Sequence, residues 1–235
     1  MSSVKEVFPG IAGVYDRMNH ALSLGLDRRW RGIAARSAAT SPARILDIAC
    51  GTGDMSLELV RAFPRAHVTG VDFTPEMLEI ARRKCAEEGR IEFVEGDAMS
   101  LPFKADAGSK LFDFATCAWG FRNFPDKEKA LSECARVLTA GGTLVVLEFF
   151  RPESRVLGAL TSLWLRVLAP VLAPGKGRAY AYLRESMKST VSCGEFVSLA
   201  VRSGFVLKSR RFLFPACTCL VFVNNSHSSK GRVVV

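Results

Sequence analysis

The sequence predicts an alternating α/β domain, with a largely parallel sheet covered by helices on both faces. Three observations carry this. Apolar runs of strand length alternate with helically spaced apolar residues from position 43 to 150. The first such run, in "RILDIACGTGDMSLEL", breaks into a Gly-x-Gly turn and then a helix. At 235 residues, 49% of them hydrophobic, the chain can bury one sizeable core. Strand, crossover helix, strand is the order that parallel pairing requires.

The elements follow in order. "ARILDIA" reads as a strand, "DMSLELVRAF" as a helix, and "AHVTGVDF" as a second strand. "PEMLEIARRKCAEEG" is a helix with Pro75 in its first turn, where the missing N–H costs nothing. "RIEFVEG", "LFDFATCAW" and "GGTLVVLEFF" are the next strands, the last two separated by the helix "DKEKALSECARVL". After Arg151 the rhythm changes. "RVLGALTSLWLRVLAPVLAP" is an apolar helical stretch broken by Pro170 and Pro174, and a looser "GKGRAYAYLRESMKS" follows. The helix "CGEFVSLAVRSG" then leads to "FVLKSRRFLF" and "CTCLVFV", an antiparallel pair closing the sheet. The expected organisation is one domain over 1–223, with a helical cover in 1–42, an insertion in 151–192, and a flexible hydrophilic tail in 224–235.

No signal-peptide core opens the chain, and no run of about 18 apolar residues lacks a charge, which points to the cytoplasm. The seven cysteines are scattered without a C-x-x-C pair, so buried thiols are expected and a metal site is not. The net charge of +9 is uneven. Residues 1–150 hold 19 Lys/Arg against 20 Asp/Glu, and 151–235 hold 13 against 3. Such an excess attracts nucleic acid, anionic lipid or an acidic substrate.

The glycine turn, Gly51 and Gly53, lets backbone N–H groups approach a ligand at a helix N-terminus. A dinucleotide fingerprint wants a third glycine where Ser56 stands, and Asp54 directly after the turn is poorly placed to meet a pyrophosphate. S-adenosylmethionine, cationic and without phosphate, suits this acidic setting. Asp47 ends the first strand and can orient the loop or meet the amino group through water. Asp72, about 20 residues beyond the turn, is placed for both ribose hydroxyls. Asp97 and Ala98 fall where the adenine edge lies. The plainer reading makes all these acids caps and turn residues.

"YDRMNHALSLGLDRRWR", "LDIACGTGD", "WGFRNFPDKEKAL", "RVLTAGGTLVVLEF" and "YAYLRES" resemble the hallmark segments of the UbiE/MenG family, the C-methyltransferases of menaquinone and ubiquinone synthesis. They run in family order from Tyr15 to about Phe222. The resemblance implies the class I, Rossmann-like methyltransferase fold with seven strands, S-adenosylmethionine as cofactor, and Thr52, Asp72, Asp97 and Ala98 among its contacts. Cys50 stands where many members have glycine, and Ala118 where some have serine.

The implied substrate is a polyprenylated quinol, demethylmenaquinol before the ubiquinone precursor. Arg122 is assigned to the developing oxyanion, because a guanidinium stays charged and makes a poor proton acceptor. Its duller alternative is a surface ion pair with Asp126 or Glu128. Asn123 beside it is a second catalytic candidate, or else a turn residue. Tyr15 is expected to hydrogen-bond the substrate from the N-terminal cover, with Asp16 and Asn19 capping that segment. Tyr182 and Arg184, with Tyr180 and Glu185, close the pocket on the substrate side. The apolar stretch 156–173 suits a wall for an isoprenoid tail, or an ordinary core helix. Arg151, Arg155, Arg166, Lys176, Arg178 and Lys188 are candidates for a basic ring meeting an anionic membrane at its inner face. No nucleic acid is expected, since no stacking aromatics form a recognisable RNA module. An O- or N-methyltransferase and a catalytically silent cofactor-binding scaffold remain alternatives, and a homodimer is left open.

Overall fold

The computed structural model describes residues 20, 23, 25–38, 41–104, 112–154, 158–159, 161, 163, 166–167 and 185–225. Within them the chain runs α1 (Leu26–Ala35), β1 (Arg44–Ile48), α2 (Asp54–Ala62), β2 (His67–Asp72), α3 (Pro75–Lys84), β3 (Ile91–Glu95) and β4 (Phe112–Ala118). A 3₁₀ turn at Phe121–Asn123 leads to α4 (Lys127–Val137), β5 (Leu138–Glu148), α5 (Cys193–Arg202), β6 (Phe205–Leu213) and β7 (Cys217–Asn224).

Seven strands form one sheet in the order β3-β2-β1-β4-β5-β7-β6. The pairings β1 with β2, β1 with β4, β2 with β3 and β4 with β5 are parallel. β7 runs antiparallel between β5 and β6, so the expected terminal pair is present. Strand order reverses between β2 and β4 around β1. This is the switch point where ligands sit beyond the carboxyl ends of the strands.

Alternate residues of the strands face two apolar layers. Leu46, Ile48, Phe112, Leu131, Phe196 and Phe222 belong to one layer; Trp30, Ile45, Leu59, Phe114, Val145 and Cys219 belong to the other. Phe114, Phe196 and Phe222 are fully buried, and truncating any one to alanine would cost about 3–5 kcal/mol. α5 starts with a capping box, in which Ser192 Oγ accepts from the Glu195 N–H and the Glu195 carboxylate accepts from the Ser192 N–H. Asp126 caps α4 by accepting from the Lys129 N–H at 2.8 Å.

Two boundaries differ from expectation. β5 begins at Leu138 rather than Gly141, because the chain passes from α4 straight into the strand and absorbs the slack in a register shift opposite Phe112/Phe114. Gly141 takes φ 75° there, and a Cβ on Gly142 would lie 2.9 Å from the Thr139 carbonyl oxygen. β7 reaches Asn224, one residue into the expected tail. The reason is its buried amide, which donates to the carbonyls of Ala135 at 2.9 Å and Leu138 at 3.0 Å, tying β7 to the end of α4.

Of the expected N-terminal cover, α1 is described. It is pinned to α2 by Arg31, which pairs with Asp27 and, at 3.4 Å, with Asp54. All seven cysteines are free and buried. Burial pushes the Cys134 thiol up to about 12 and those of Cys85 and Cys219 up to about 11. Among the described residues no helix is long and apolar enough to cross a membrane.

Candidate cofactor site

The pocket at the switch point is built by three strand ends. After β1 the chain turns through Ala49, Gly51 and Gly53, all at positive φ, 54°, 54° and 84°. The Gly51 and Gly53 conformations are ones that favour glycine, which explains the sequence pattern at this turn. After β4 it turns again through Trp119 at φ 61°. Ala49 and Trp119 are thus two non-glycine residues in the left-handed region, and both line the pocket, the kind of place where backbone strain is retained. Gly120 lets the two turns meet. A Cβ there would lie 2.8 Å from both the Ala49 Cβ and the Cys117 Sγ.

Asp72 ends β2 and faces this pocket, 7% exposed. One carboxylate oxygen accepts from the Gly51 N–H at 2.9 Å and the other from the Thr74 N–H at 2.9 Å. The residue therefore fixes the glycine turn relative to α3 while its carboxylate borders the pocket. Burial raises its pKa, against the backbone N–H groups that lower it.

Asp47 is placed differently. It is 1% exposed, and its oxygens accept from the Ser56 hydroxyl at 2.6 Å and the Thr116 hydroxyl at 3.0 Å. Burial pushes its pKa up to about 6. It joins β1, the first turn of α2 and β4. Thr52 is buried too, and its hydroxyl accepts from Lys84 Nζ at 3.2 Å. Asp97 lies along a second groove with Phe73, Thr74, Pro75, Glu76, Glu95 and Gly96. It accepts from the Met99 N–H at 2.8 Å, while Ala98 is buried beside it in the core.

Asn123 lines the pocket with Trp119, Gly120 and Phe124. Arg122 turns the other way. Its Nη1 donates to the Glu148 carboxylate at 2.8 Å and to the Trp119 carbonyl at 2.8 Å, and its N–H donates to Glu148 at 3.0 Å. The expected alternative partners are engaged elsewhere: Asp126 caps α4, and Glu128 pairs with Arg202 at 3.0 Å. The surface ion pair is therefore corrected to a buried one, with side chains 8% and 1% exposed. Glu148 is the site-building residue that sequence reading missed. Tyr15, Tyr180, Tyr182 and Arg184, with Asp16 and Asn19, lie outside the described residues.

The arrangement fits S-adenosylmethionine: a glycine turn held by a buried carboxylate, a groove with Glu76, Glu95 and Asp97, and the apolar side chains of Met77, Trp119 and Phe124. Comparison with known proteins agrees. The ubiE/COQ5 methyltransferase family matches residues 1–216. The chain belongs to the ubiE/COQ5 methyltransferase family. The demethylmenaquinone methyltransferase of Deinococcus radiodurans is 44% identical over 217 residues, covering 90% of this chain and 88% of that one. That of Thermus thermophilus is 42% identical over 213 residues, 88% and 95% of the two chains. The ubiquinone/menaquinone biosynthesis C-methyltransferase UbiE of Syntrophotalea carbinolica is 41% identical over 205 residues, 86% and 85%. Among solved structures, a putative O-methyltransferase of Nostoc punctiforme superimposes with a TM-score of 0.68 at 17% identity, covering 95% of this chain and 62% of that one. The putative methyltransferase in complex with the Haloferax volcanii Trm112 methyltransferase activator gives 0.67 at 18%, covering 94% and 99%. These two bear on the fold, which is that of class I methyltransferases. As a ubiE/COQ5 family member the chain is an S-adenosylmethionine-dependent C-methyltransferase.

Proposed function

We propose that the chain transfers the methyl group of S-adenosylmethionine to a ring carbon of a polyprenylated quinol, with demethylmenaquinol as the substrate and the ubiquinone-pathway benzoquinol as the second reading. The support for the first is that the Deinococcus and Thermus relatives, at 44% and 42% identity, carry the demethylmenaquinone name. The Syntrophotalea relative, whose name covers both quinones, keeps the second in view.

Asp72 holds the ribose hydroxyls, the Gly51–Gly53 turn approaches the methionine portion, and Asp97 with Ala98 borders the adenine. Bound there, the cofactor supplies an electrophilic methyl on sulfur. The protein's task is to align a ring carbon with that methyl and to favour ionisation of the adjacent hydroxyl. The ring carbon would take the methyl from sulfur, leaving the neutral thioether S-adenosylhomocysteine, and the ring proton would pass to water to restore the aromatic quinol. Asn123 is the polar side chain among the pocket-lining residues after β4 and is proposed to meet the quinol oxygen. Arg122, neutralised by Glu148, acts as a positioning residue that sets the 121–123 turn. Tyr15, Tyr182 and Arg184 are proposed to complete the substrate side.

The enzyme is proposed to work in the cytoplasm against the inner face of the membrane that dissolves its substrate. Incubation with methyl-labelled cofactor and, in parallel, demethylmenaquinol, the benzoquinol precursor and RNA tests the reading. Label on a ring carbon of menaquinol is expected. Label in RNA, or on a quinol oxygen, overturns it.

A further inference from the structure

The β6–β7 hairpin ends at the same edge of the sheet as the pocket. β5 runs parallel to β4, β7 runs antiparallel to β5, and β6 antiparallel to β7, so the carboxyl end of β6 points with those of β1, β2 and β4. Its last pair is Leu213 with Cys217, next to Phe212 with Thr218, which itself faces Glu148 at the end of β5. The tip that follows is apolar and exposed. Phe214 is 68% exposed and Phe212 47%, values unusual for side chains that normally drive burial.

Cations accompany them. Lys208, Arg210 and Arg211 are exposed on β6, and no acid stands between Phe205 and Asn225. β6 is also the sheet's edge, and its exposed Lys208, Ser209, Arg210 and Arg211 protect that edge from pairing with another strand, which leaves Phe212 and Phe214 at its end as the apolar part. Beneath the tip, Phe212 and Ala216 border a cleft with Phe150, Thr161 and Met187, from the segment between β5 and α5, and its mouth carries Arg151 and the Arg210–Glu153 pair at 3.1 Å.

We propose that this hairpin tip is the surface by which the enzyme docks on an anionic lipid bilayer, with Phe214 in the interface, Lys208 and Arg211 over the headgroups, and the cleft under Phe212 receiving the substrate's tail. The assignment of the tail rests on the quinol reading above; the docking surface does not. Aromatic rings with a cationic fringe match an anionic interface, where each Lys or Arg adds on the order of 1 kcal/mol and salt screens the attraction within about 8–10 Å. The cleft opens beside the tip, so a tail held there would lie next to the bilayer.

The test is flotation of the full chain with vesicles of equimolar phosphatidylglycerol and phosphatidylcholine, and with phosphatidylcholine alone, at low and high salt. The wild type is expected to float with the anionic vesicles at low salt. Phe214→Ser and Lys208→Gln/Arg211→Gln should each lower that partition by about tenfold, while turnover of a short-tail quinol in solution stays at the wild-type level. Flotation of both variants like the wild type, or failure of the wild type to float, overturns the proposal. So does a sedimenting dimer that Phe214→Ser dissolves, because the tip would then be covered by a second copy. Flotation that depends on the hairpin in a chain that methylates no quinol would refute the substrate and keep the docking surface.

Discussion

Replacing Glu148 by Gln withdraws the counter-charge from Arg122 while keeping the side chain's size. The carboxylate accepts from Arg122 Nη1 at 2.8 Å, the Arg122 N–H at 3.0 Å and the Phe149 N–H at 2.8 Å. A Gln amide can serve one side with its oxygen, but its NH₂ then faces a donor. With Glu148 1% and the Arg122 side chain 8% exposed, little water can step in. Breaking one partner of such a buried pair costs about 3–5 kcal/mol. The lower figure applies here, because the guanidinium keeps the Trp119 carbonyl. At about 2–4 °C per kcal/mol for a chain of this size, Tm should fall by about 6–12 °C. Urea unfolding of the wild type, Glu148→Gln, Arg122→Met and the double variant closes a double-mutant cycle. A coupling of about 2 kcal/mol is expected, since removing the buried cation relieves most of the damage. A loss below about 1 kcal/mol for Glu148→Gln, or no coupling, would refute the argument and return Arg122 to solvent or substrate.

Other expectations follow from the same geometry. Asp47 has its pKa raised from 3.8 to about 6, so between those values the folded state holds a proton that the unfolded chain releases. The contribution of Asp47 to stability should therefore fall as pH rises from about 4 to about 6, by on the order of 3 kcal/mol, and stay lower above. Asp47→Asn removes that slope, and urea melts from pH 4 to 7 in which both proteins change alike would reject it. Asp72→Asn turns an NH₂ toward the Gly51 or Thr74 N–H and should weaken S-adenosylmethionine binding by at least about tenfold in calorimetry; affinity within about twofold of wild type would remove Asp72 from the cofactor site. Gly120→Ala forces a methyl to 2.8 Å from Ala49 and Cys117 and should cost about 1–3 kcal/mol in thermal unfolding, whereas an unchanged Tm would mean the two turns can part freely.

The sheet was legible because its central strands are buried on both faces and so read as apolar runs, and because Asp72 and the glycines have local, position-specific work. Glu148 was not, since it lies 26 residues from Arg122 and meets it only because β4 and β5 are neighbours. Charges four and six residues from Arg122, Asp126 and Glu128, drew the pairing in sequence, although one is an N-cap and the other bonds α5. The division of labour between Asp47 and Asp72 was equally hidden. Both acids end adjacent strands, and the hydroxyls that claim Asp47 come from Ser56 in the next helix and Thr116 in β4. The left-handed residue in the turn after β4 is Trp119 itself and not the neighbouring glycine, so its conformation was not announced; its N–H donates to the Leu147 carbonyl at 2.7 Å.

The seven shielded thiols give the molecule an internal record of its own opening. Alkylating reagents attack the thiolate, and here burial both hides the sulfur and suppresses its ionisation. Modification must therefore wait for an excursion that exposes the site. Because the sulfurs are spread over the glycine turn, α3's end, β4, α4, α5 and β7, the order in which they are labelled under native conditions maps which part of the domain breathes first. Cys50 and Cys85 bracket the cofactor turn, where a Cβ on Gly53 would sit 3.2 Å from the Cys85 sulfur, and so report on that region from either side. Cofactor that binds the closed form should slow those two more than Cys193 or Cys217, a footprint read by mass spectrometry without any change to the chain.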